Sequence, residues 1–290
     1  MTDTVTRQFV TRFDNELRLL AQQKVSRLRK TVTDRGQIVG ASFTINNLGA
    51  VNMDENTVRH GDTIFGEIDH TARNVPLRDY FKALPMDRAD LPKMLVNPVT
   101  GGQYMQTLIA ARNRQIDDVI FNAVLNNIVS FDGQTTYQLP ASQIIAAGGT
   151  GLTKAKIIQA RSIFRANETD GVDGDGDELF FLYDSLALTQ ILSDTTLTSA
   201  DFMTGKMLQE GGVGGKWMGF TWIPFERVRN VAGVRTSAAY SKSAVHFGYG
   251  YEQGDVDKRP DKKNLWQTSI EGSYGAGRQD EAKVVQISYQ

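Results

Sequence analysis

The chain has no cysteine, which excludes disulfide staples, thiol nucleophiles and zinc–thiolate centres. Its stability must come from its core, from assembly, or from both. Histidine is nearly as scarce: His60, His70 and His246 are the only three. His60 and His70 lie among Asp62, Glu67 and Asp69, a set that can be imagined around a metal. No H-E-x-x-H helix supports that reading, and the loose segment carrying them is a poor platform for a rigid site. No run of about 18 apolar residues occurs, so no spanning helix is expected. The opening "MTDTVTRQFV" lacks the apolar core of a secretory signal, and synthesis inside the cell is the plain reading. An excess of one charge is also missing: 32 Lys and Arg against 33 Asp and Glu give no global pull toward nucleic acid or an anionic membrane. Proline is sparse at 7 while glycine reaches 27, the balance of a chain rich in tight turns and β segments. At 290 residues, 40% hydrophobic and 22% charged, there is material for one large domain or two of ordinary size.

Residues 5–30 space Val5, Phe9, Phe13, Leu17, Leu20 and Leu28 as one face of a helix, with a basic opposite face. That helix docks on a partner or an acidic surface, or is an ordinary surface helix with a solvated side; both readings stay open. Residues 36–75 are polar, glycine-punctuated and β-prone, with alternation in "TIFGEI", and read as a long excursion of two or three strands. Such a length is unusual for a loop unless it is functional. Over 102–129 an apolar stripe through Met105, Leu108, Ile109, Ile116, Val119, Ile120, Ala123, Val124 and Ile128 predicts a long helix. On it, Arg114 and Asp118 stand one turn apart, close enough to pair. "LTKAKIIQARSIFRANE" predicts a second helix with Thr153 as its cap. The continuous run Leu179–Tyr183 predicts a strand buried on both faces, and "SLALTQILSD" a short helix. "GKWMGFTWIPFERV" alternates, with Phe220 and Trp222 on one face, and "AAYSKSAVHFGYGYE", "NLWQTSIEGSYGA" and "EAKVVQISYQ" predict three further strands.

The acidic stretch "DGVDGDGDEL" (170–179) invites a calcium reading. Asp173, Asp175 and Asp177 match the first three ligand positions of an EF-hand loop, but Glu178 stands where glycine is needed and Asp184 where a longer Glu is needed. A solvated turn is the better reading. "GGTGLTK" and "GGVGGKWMG" match neither a phosphate loop nor a dinucleotide fingerprint, and no G-x-S-x-G elbow occurs. No catalytic, metal or cofactor-binding residue is assigned, and no enzyme is expected.

The order of segments, and the texture of "ARNRQIDDVIFNAV" with Arg114 and Asp117 at its Arg and Asp places, resembles the major capsid proteins of tailed bacteriophages. That resemblance implies the Hong Kong 97 capsid fold, an α+β architecture. It places an N-terminal arm helix at 1–35 and an extended β-loop at 36–75. A mainly peripheral domain with a long spine helix would occupy 76–178. A mainly axial α/β domain would occupy 179–290, with a return of its C-terminal strands to the peripheral domain left open. The family implies hexamers and pentamers of the chain in an icosahedral shell around double-stranded DNA, bound without sequence specificity. It further implies a portal protein and, since the arm is short, a separate scaffolding protein, with no membrane and no cofactor. The expected location is the virion capsid, after synthesis in the host bacterial cytoplasm. Phe9, Phe13 and Leu17 are expected as the arm's docking face, and Ile64 and Phe65 as the excursion's contact with a neighbouring subunit. Arg114 with Asp117 or Asp118 is a polar fixture or an ordinary intrachain pair. Some members of the family cross-link through Lys and Asn; no lysine lies between Gly36 and Arg78, so none is expected here. The alternative from another class is a non-catalytic protein that binds nucleic acid or a partner through the basic N-terminal helix.

Overall fold

The computed structural model describes residues 20–55, 61–63, 65–90, 102–169, 177–193 and 215–290. By its internal contacts the chain divides into two units. One comprises 1–25, 80–114 and 252–272; the other comprises 26–79, 115–251 and 273–290.

Leu20 to Leu28 form no α-helix, and the first regular element among the described residues is a single 3-10 turn at Arg29–Thr31. Within 20–30, therefore, the helix predicted over 5–30 is not formed; its earlier residues lie outside the described ones. The chain then enters β1 (Thr33–Gln37), β2 (Ser42–Leu48), β3 (His70–Pro76) and β4 (Arg78–Met86). "TIFGEI" contributes no strand among its described residues, despite its alternation. The long helix α1 (Gln103–Leu125) follows, then β5 (Ile128–Ser130), β6 (Thr136–Tyr137) and β7 (Ile144–Ile145). α2 (Lys154–Ala166), β8 (Leu179–Tyr183) and α3 (Ser185–Ser193) come next. The remainder is β9 (Lys216–Trp217), β10 (Phe220–Pro224), β11 (Arg229–Val231), β12 (Val234–Ser241), β13 (Val245–Arg259), β14 (Leu265–Arg278) and β15 (Val284–Tyr289). "AAYSKSAVHFGYGYE" is thus two strands rather than one. A 3-10 turn at Lys242–Ala244 sends β12 and β13 into different sheets.

The larger unit is built around β8, all five residues of which are buried. β8 lies between β12 and β10 in a seven-stranded sheet of order β7-β15-β12-β8-β10-β9, with β11 paired to β12. Its Leu179, Phe181 and Tyr183 share a core with Ile157, Ala160 and Phe164 of α2 and Ala187 and Ile191 of α3. Phe180 instead meets Tyr240. β10 runs parallel to β8, which requires the crossover that α3 supplies. Phe220 and Trp222 turn inward, Trp222 stacking on Phe181 at 4.2 Å, while Thr221 and Ile223 are only partly buried. β9 and β10 join through Met218 and Gly219, both at positive φ, the turn whose twist suits a two-residue hairpin. Asp184 caps α3 by accepting the Ala187 N–H at 2.8 Å, and it is further held by Tyr289 Oη and Arg235. Thr153 does stand at the N-cap of α2, but its hydroxyl makes no capping bond; its carbonyl takes the N–H groups of Lys156 and Ile157.

A second sheet runs β1-β13-β14-β4 and a third β2-β3-β5-β6. Among the described residues strands outnumber the three α-helices, and the class is α+β.

Candidate assembly surface

β2 and β3 pair through seven consecutive residues, Ser42 opposite Pro76 to Leu48 opposite His70, and Gly49 adds one more backbone bond to Asp69. Unbroken register fixes which side chains face inward. Phe43, Ile45 and Val75 do so and join Ile128 in a small separate core. This core lies against bare backbone of β14. A Cβ at Gly277 would stand 2.3 Å from Val75 Cγ2 and 2.9 Å from Ile128 Cδ1. One at Gly275 would stand 2.9 Å from the Pro76 carbonyl oxygen, which cannot swing aside. The hairpin root needs glycine at both positions.

A polar cluster fixes the same root. Arg73 of β3 binds Glu281 with both terminal nitrogens, at 2.7 and 2.6 Å, and donates to the Arg278 carbonyl at 3.1 Å. Its guanidinium lies 4.4 Å from the centre of the Tyr137 ring. Arg278, fully buried, donates to Glu281 at 3.1 Å and to the carbonyls of Val124 and Asn126 at 2.9 and 3.1 Å. Carbonyls at a helix C-terminus lack intrahelical partners, and a cation there is favourable. Burial alone would raise the Glu281 carboxyl, but Arg73 and Arg278 together hold it below its ordinary value.

The hairpin is different at its far end. Leu48, Val51, Met53, Phe65 and Ile68 are exposed, Met53 completely and Phe65 at 88%. The two limbs still run close there, with Val51 Cγ1 4.0 Å from where a Gly66 Cβ would be. Scattered exposed apolar residues need no explanation, but five on one extended loop form a surface that the described residues leave uncovered.

The other predicted site residues fall as follows. Phe9, Phe13, Leu17 and Ile64 lie outside the described residues. Arg114 donates to Gln22 Oε1 at 2.8 Å and to the Gln23 carbonyl at 3.2 Å. Asp118, expected opposite Arg114, takes Arg227 Nε at 2.6 Å from a distant part of the chain. Asp117 is fully buried and receives Ser26 Oγ at 2.6 Å and the backbone N–H groups of Arg27 and Leu28 at 3.0 and 3.1 Å. Arg227 Nη2 lies 3.8 Å away. These bonds, with that from Asn113 to the Lys24 carbonyl, occupy backbone groups that a helix over 20–28 would have paired internally. Just beyond, Thr31 Oγ1 donates to the Leu28 carbonyl and so accepts from Tyr240 Oη at 2.6 Å; burial pushes that phenol up.

Asp177 is engaged by Ser243 and Lys283, Glu178 by Lys216, and Asp184 faces the core. Asp170, Asp173 and Asp175 lie outside the described residues. His70 is exposed and His246 buried. Among the described residues no three His, Asp or Glu side chains gather closely enough to hold a metal ion, and no helix is long and apolar enough to cross a membrane. Arg73, Arg278 and Glu281 were not foreseen; Arg73 is some two hundred positions from its partners, and no local pattern marks them.

The sequence profile of the phage capsid protein family matches residues 5–290. Among solved structures, one from Mycobacterium phage Che8 superposes with a TM-score of 0.72 at 13% identity, covering 97% of each chain. The capsid structure of cyanophage P-SCSP1u gives 0.70 at 14%, covering 100% of this chain and 95% of that one. The cyanophage Pam1 capsid asymmetric unit gives 0.69 at 13%, with 100% and 99% covered. At such identities the likeness is one of fold. No curated protein matches the sequence.

Proposed function

The chain belongs to the phage capsid protein family, a structural subunit of a tailed-phage capsid, and from that premise we propose how it builds the shell. Copies associate into hexamers and pentamers, each extended hairpin laying its uncovered tip across a neighbouring subunit. The observation that carries this reading is the contrast along one hairpin: a root locked by buried side chains and charges, and a tip with Met53 and Phe65 bare. Covering each of these side chains in a neighbour is worth about 1.5–3 kcal/mol, and a closed shell repeats the contact at every subunit. Phe9, Phe13 and Leu17 serve the arm in the same way. Ile64 adds to the tip, while Arg114 and Asp117 set the path of the chain leaving the arm. The protein acts without catalysis. A separate scaffolding protein and a portal protein complete assembly in the host bacterial cytoplasm, and the shell encloses double-stranded DNA without reading its sequence.

Negative-stain microscopy with sedimentation velocity on the purified full chain tests this. Wild type should give closed shells or capsomer-like rings, alone or with the scaffold co-expressed. A Met53→Asp, Phe65→Asp variant should remain a small species with an unchanged melting temperature. Assembly of that variant as readily as wild type would remove the tip from the mechanism; failure of wild type under both conditions would remove the assembly reading itself.

A further inference from the structure

His246 stands second in β13, buried, opposite Thr33 of β1. Arg35 Nε donates to its Nδ1 at 3.1 Å. A guanidinium can only donate, so Nδ1 must carry a lone pair and the proton sits on Nε2. That N–H meets Gln279 Oε1 at 2.9 Å. Gln279 is itself fixed, its backbone N–H given to Ala244 and its carbonyl taking Asn47 Nδ2 at 2.6 Å. The imidazole therefore joins β1, the start of β13, and the turn after β14 that holds Asn47 of the extended hairpin.

β1 has few other holds. Its pairing with β13 is broken by an irregularity between Asp34 and Gln37, where Gly36 adopts φ +72. All five of its residues are exposed or only partly buried. Beside the ladder pairs Thr33–His246, Asp34–Phe247 and Gln37–Tyr249, the strand is held by Gln37 to the Gly250 carbonyl, Thr33 to the Lys242 carbonyl and Asp34 to Arg29, and the Ile38 N–H just after it bonds the Tyr249 carbonyl.

The charges bearing on His246 are cationic: Arg35 from β1 and Lys283 from the connection between β14 and β15. The carboxylates on the neighbouring elements are committed elsewhere. Asp34 holds Arg29 and the Gly36 N–H, Asp177 holds Ser243 and Lys283, Asp280 accepts the Ala282 N–H, and Glu281 holds Arg73 and Arg278.

We propose that His246 is an acid-sensitive latch on β1: neutral, it ties Arg35 to the body of this unit; protonated, it releases β1 and loosens the entry to the extended hairpin. Protonation at Nδ1 removes the only atom that can accept from Arg35 and sets a third cation beside two. Burial, with Arg35 and Lys283 adding to it against the Gln279 bond, holds the imidazole below its ordinary value. For such a group the stabilisation is complete above the unfolded value of about 6.5 and is lost as the pH falls toward the folded one.

Hydrogen exchange on the full chain tests the latch, reading peptides over 33–41 at pH 7.5 and 5.5 after correction for intrinsic rates. Wild type should lose protection there by up to about tenfold, the limit set by one pH unit below the unfolded pKa. Tyr183 in β8 should hold its protection throughout. His246→Gln, which accepts from Arg35 without titrating, should show the same protection at both pH values. Unchanged protection in wild type, or an equal loss in the Gln variant, would overturn the proposal. Should that variant not fold, an NMR titration of the wild-type ring decides: an Nε2–H tautomer titrating below 6.5 is required, and a value at or above it refutes the latch.

Discussion

Removing the Asp117 carboxylate should detach the segment that precedes β1. Asp117→Ala strands three donors: Ser26 Oγ and the N–H groups of Arg27 and Leu28. A buried donor left without a partner costs about 1–3 kcal/mol. Ser26 is only partly buried and Arg27 is exposed, so water reaches both, whereas Leu28 is fully buried. One orphan at full cost plus two partly rehydrated ones gives a loss of about 3 kcal/mol. Arg227 adds little, since it keeps Asp118 at 2.6 Å. Asp117→Asn retains one acceptor oxygen and should lose about half as much. In urea, with a slope of about 2–3 kcal/mol per molar, the Ala variant's midpoint should fall by about 1 M, followed through Trp222 in the core. Hydrogen exchange should show the loss concentrated at 26–32 before it reaches β8. A midpoint within about 0.3 M of wild type would show that the chain does not depend on this carboxylate, and the account of why residues 20–28 are not helical would fall with it.

Gly277→Val should destabilise the root by about 2–3 kcal/mol through overpacking against Val75 and Ile128, and should abolish particles in the microscope even with Phe65 intact. Glu281, held below its ordinary value by two arginines, contributes stability that is present above the unfolded carboxylate value of about 4.3 and is lost as the pH falls through the folded one. Glu281→Gln should therefore flatten the acid limb of the melting curve, and an unchanged limb would assign it to other groups. Calcium at millimolar concentration should leave the melting temperature of wild type unmoved, and Asp173→Asn with Asp175→Asn should leave stability and assembly as they were; a calcium-dependent rise would revive a metal role for the 170–178 stretch.

The parts of this fold that could be read in advance are those in which a residue's environment follows from its immediate neighbours. The apolar run Leu179–Tyr183 is buried on both faces, and along the stripe of α1 Leu108, Ile116, Ile120 and Val124 are buried, although Ile109 is exposed. Phe220 and Trp222 alternate inward as expected. Readings failed where a distant group overrode a local pattern. Residues 20–28 have helical spacing, but Asp117, Asn113 and Arg114 capture their backbone and neighbouring side chains. Arg114 and Asp118 have the spacing of a helix pair, yet Asp118 goes to Arg227. "SKSAV" reads as the middle of one strand, but the Lys242 N–H bonds to the Glu178 carbonyl and the chain changes sheets. The uncovered tip was legible only as a length and a composition, because exposure on one chain is decided by what the rest of that chain can reach.

The same contrast explains why the root carries ionic groups rather than a larger apolar core. Four buried side chains, Phe43, Ile45, Val75 and Ile128, supply only about 6–12 kcal/mol at 1.5–3 each, before any cost of ordering the hairpin. A longer apolar face on β2 and β3 would add to that total, but it would also stay uncovered on a free subunit and invite edge-to-edge association. Arg278 avoids that difficulty because its partners already exist: the carbonyls of Val124 and Asn126 at the end of α1 need a donor whatever the hairpin does. Glu281 then neutralises Arg278 through one oxygen and binds Arg73 through both, so the hairpin is tied to α1 through groups that have no use on their own. Stability is thereby concentrated at the root, where the chain can complete it alone, and apolar surface is left at the tip, where Met53 and Phe65 stay exposed.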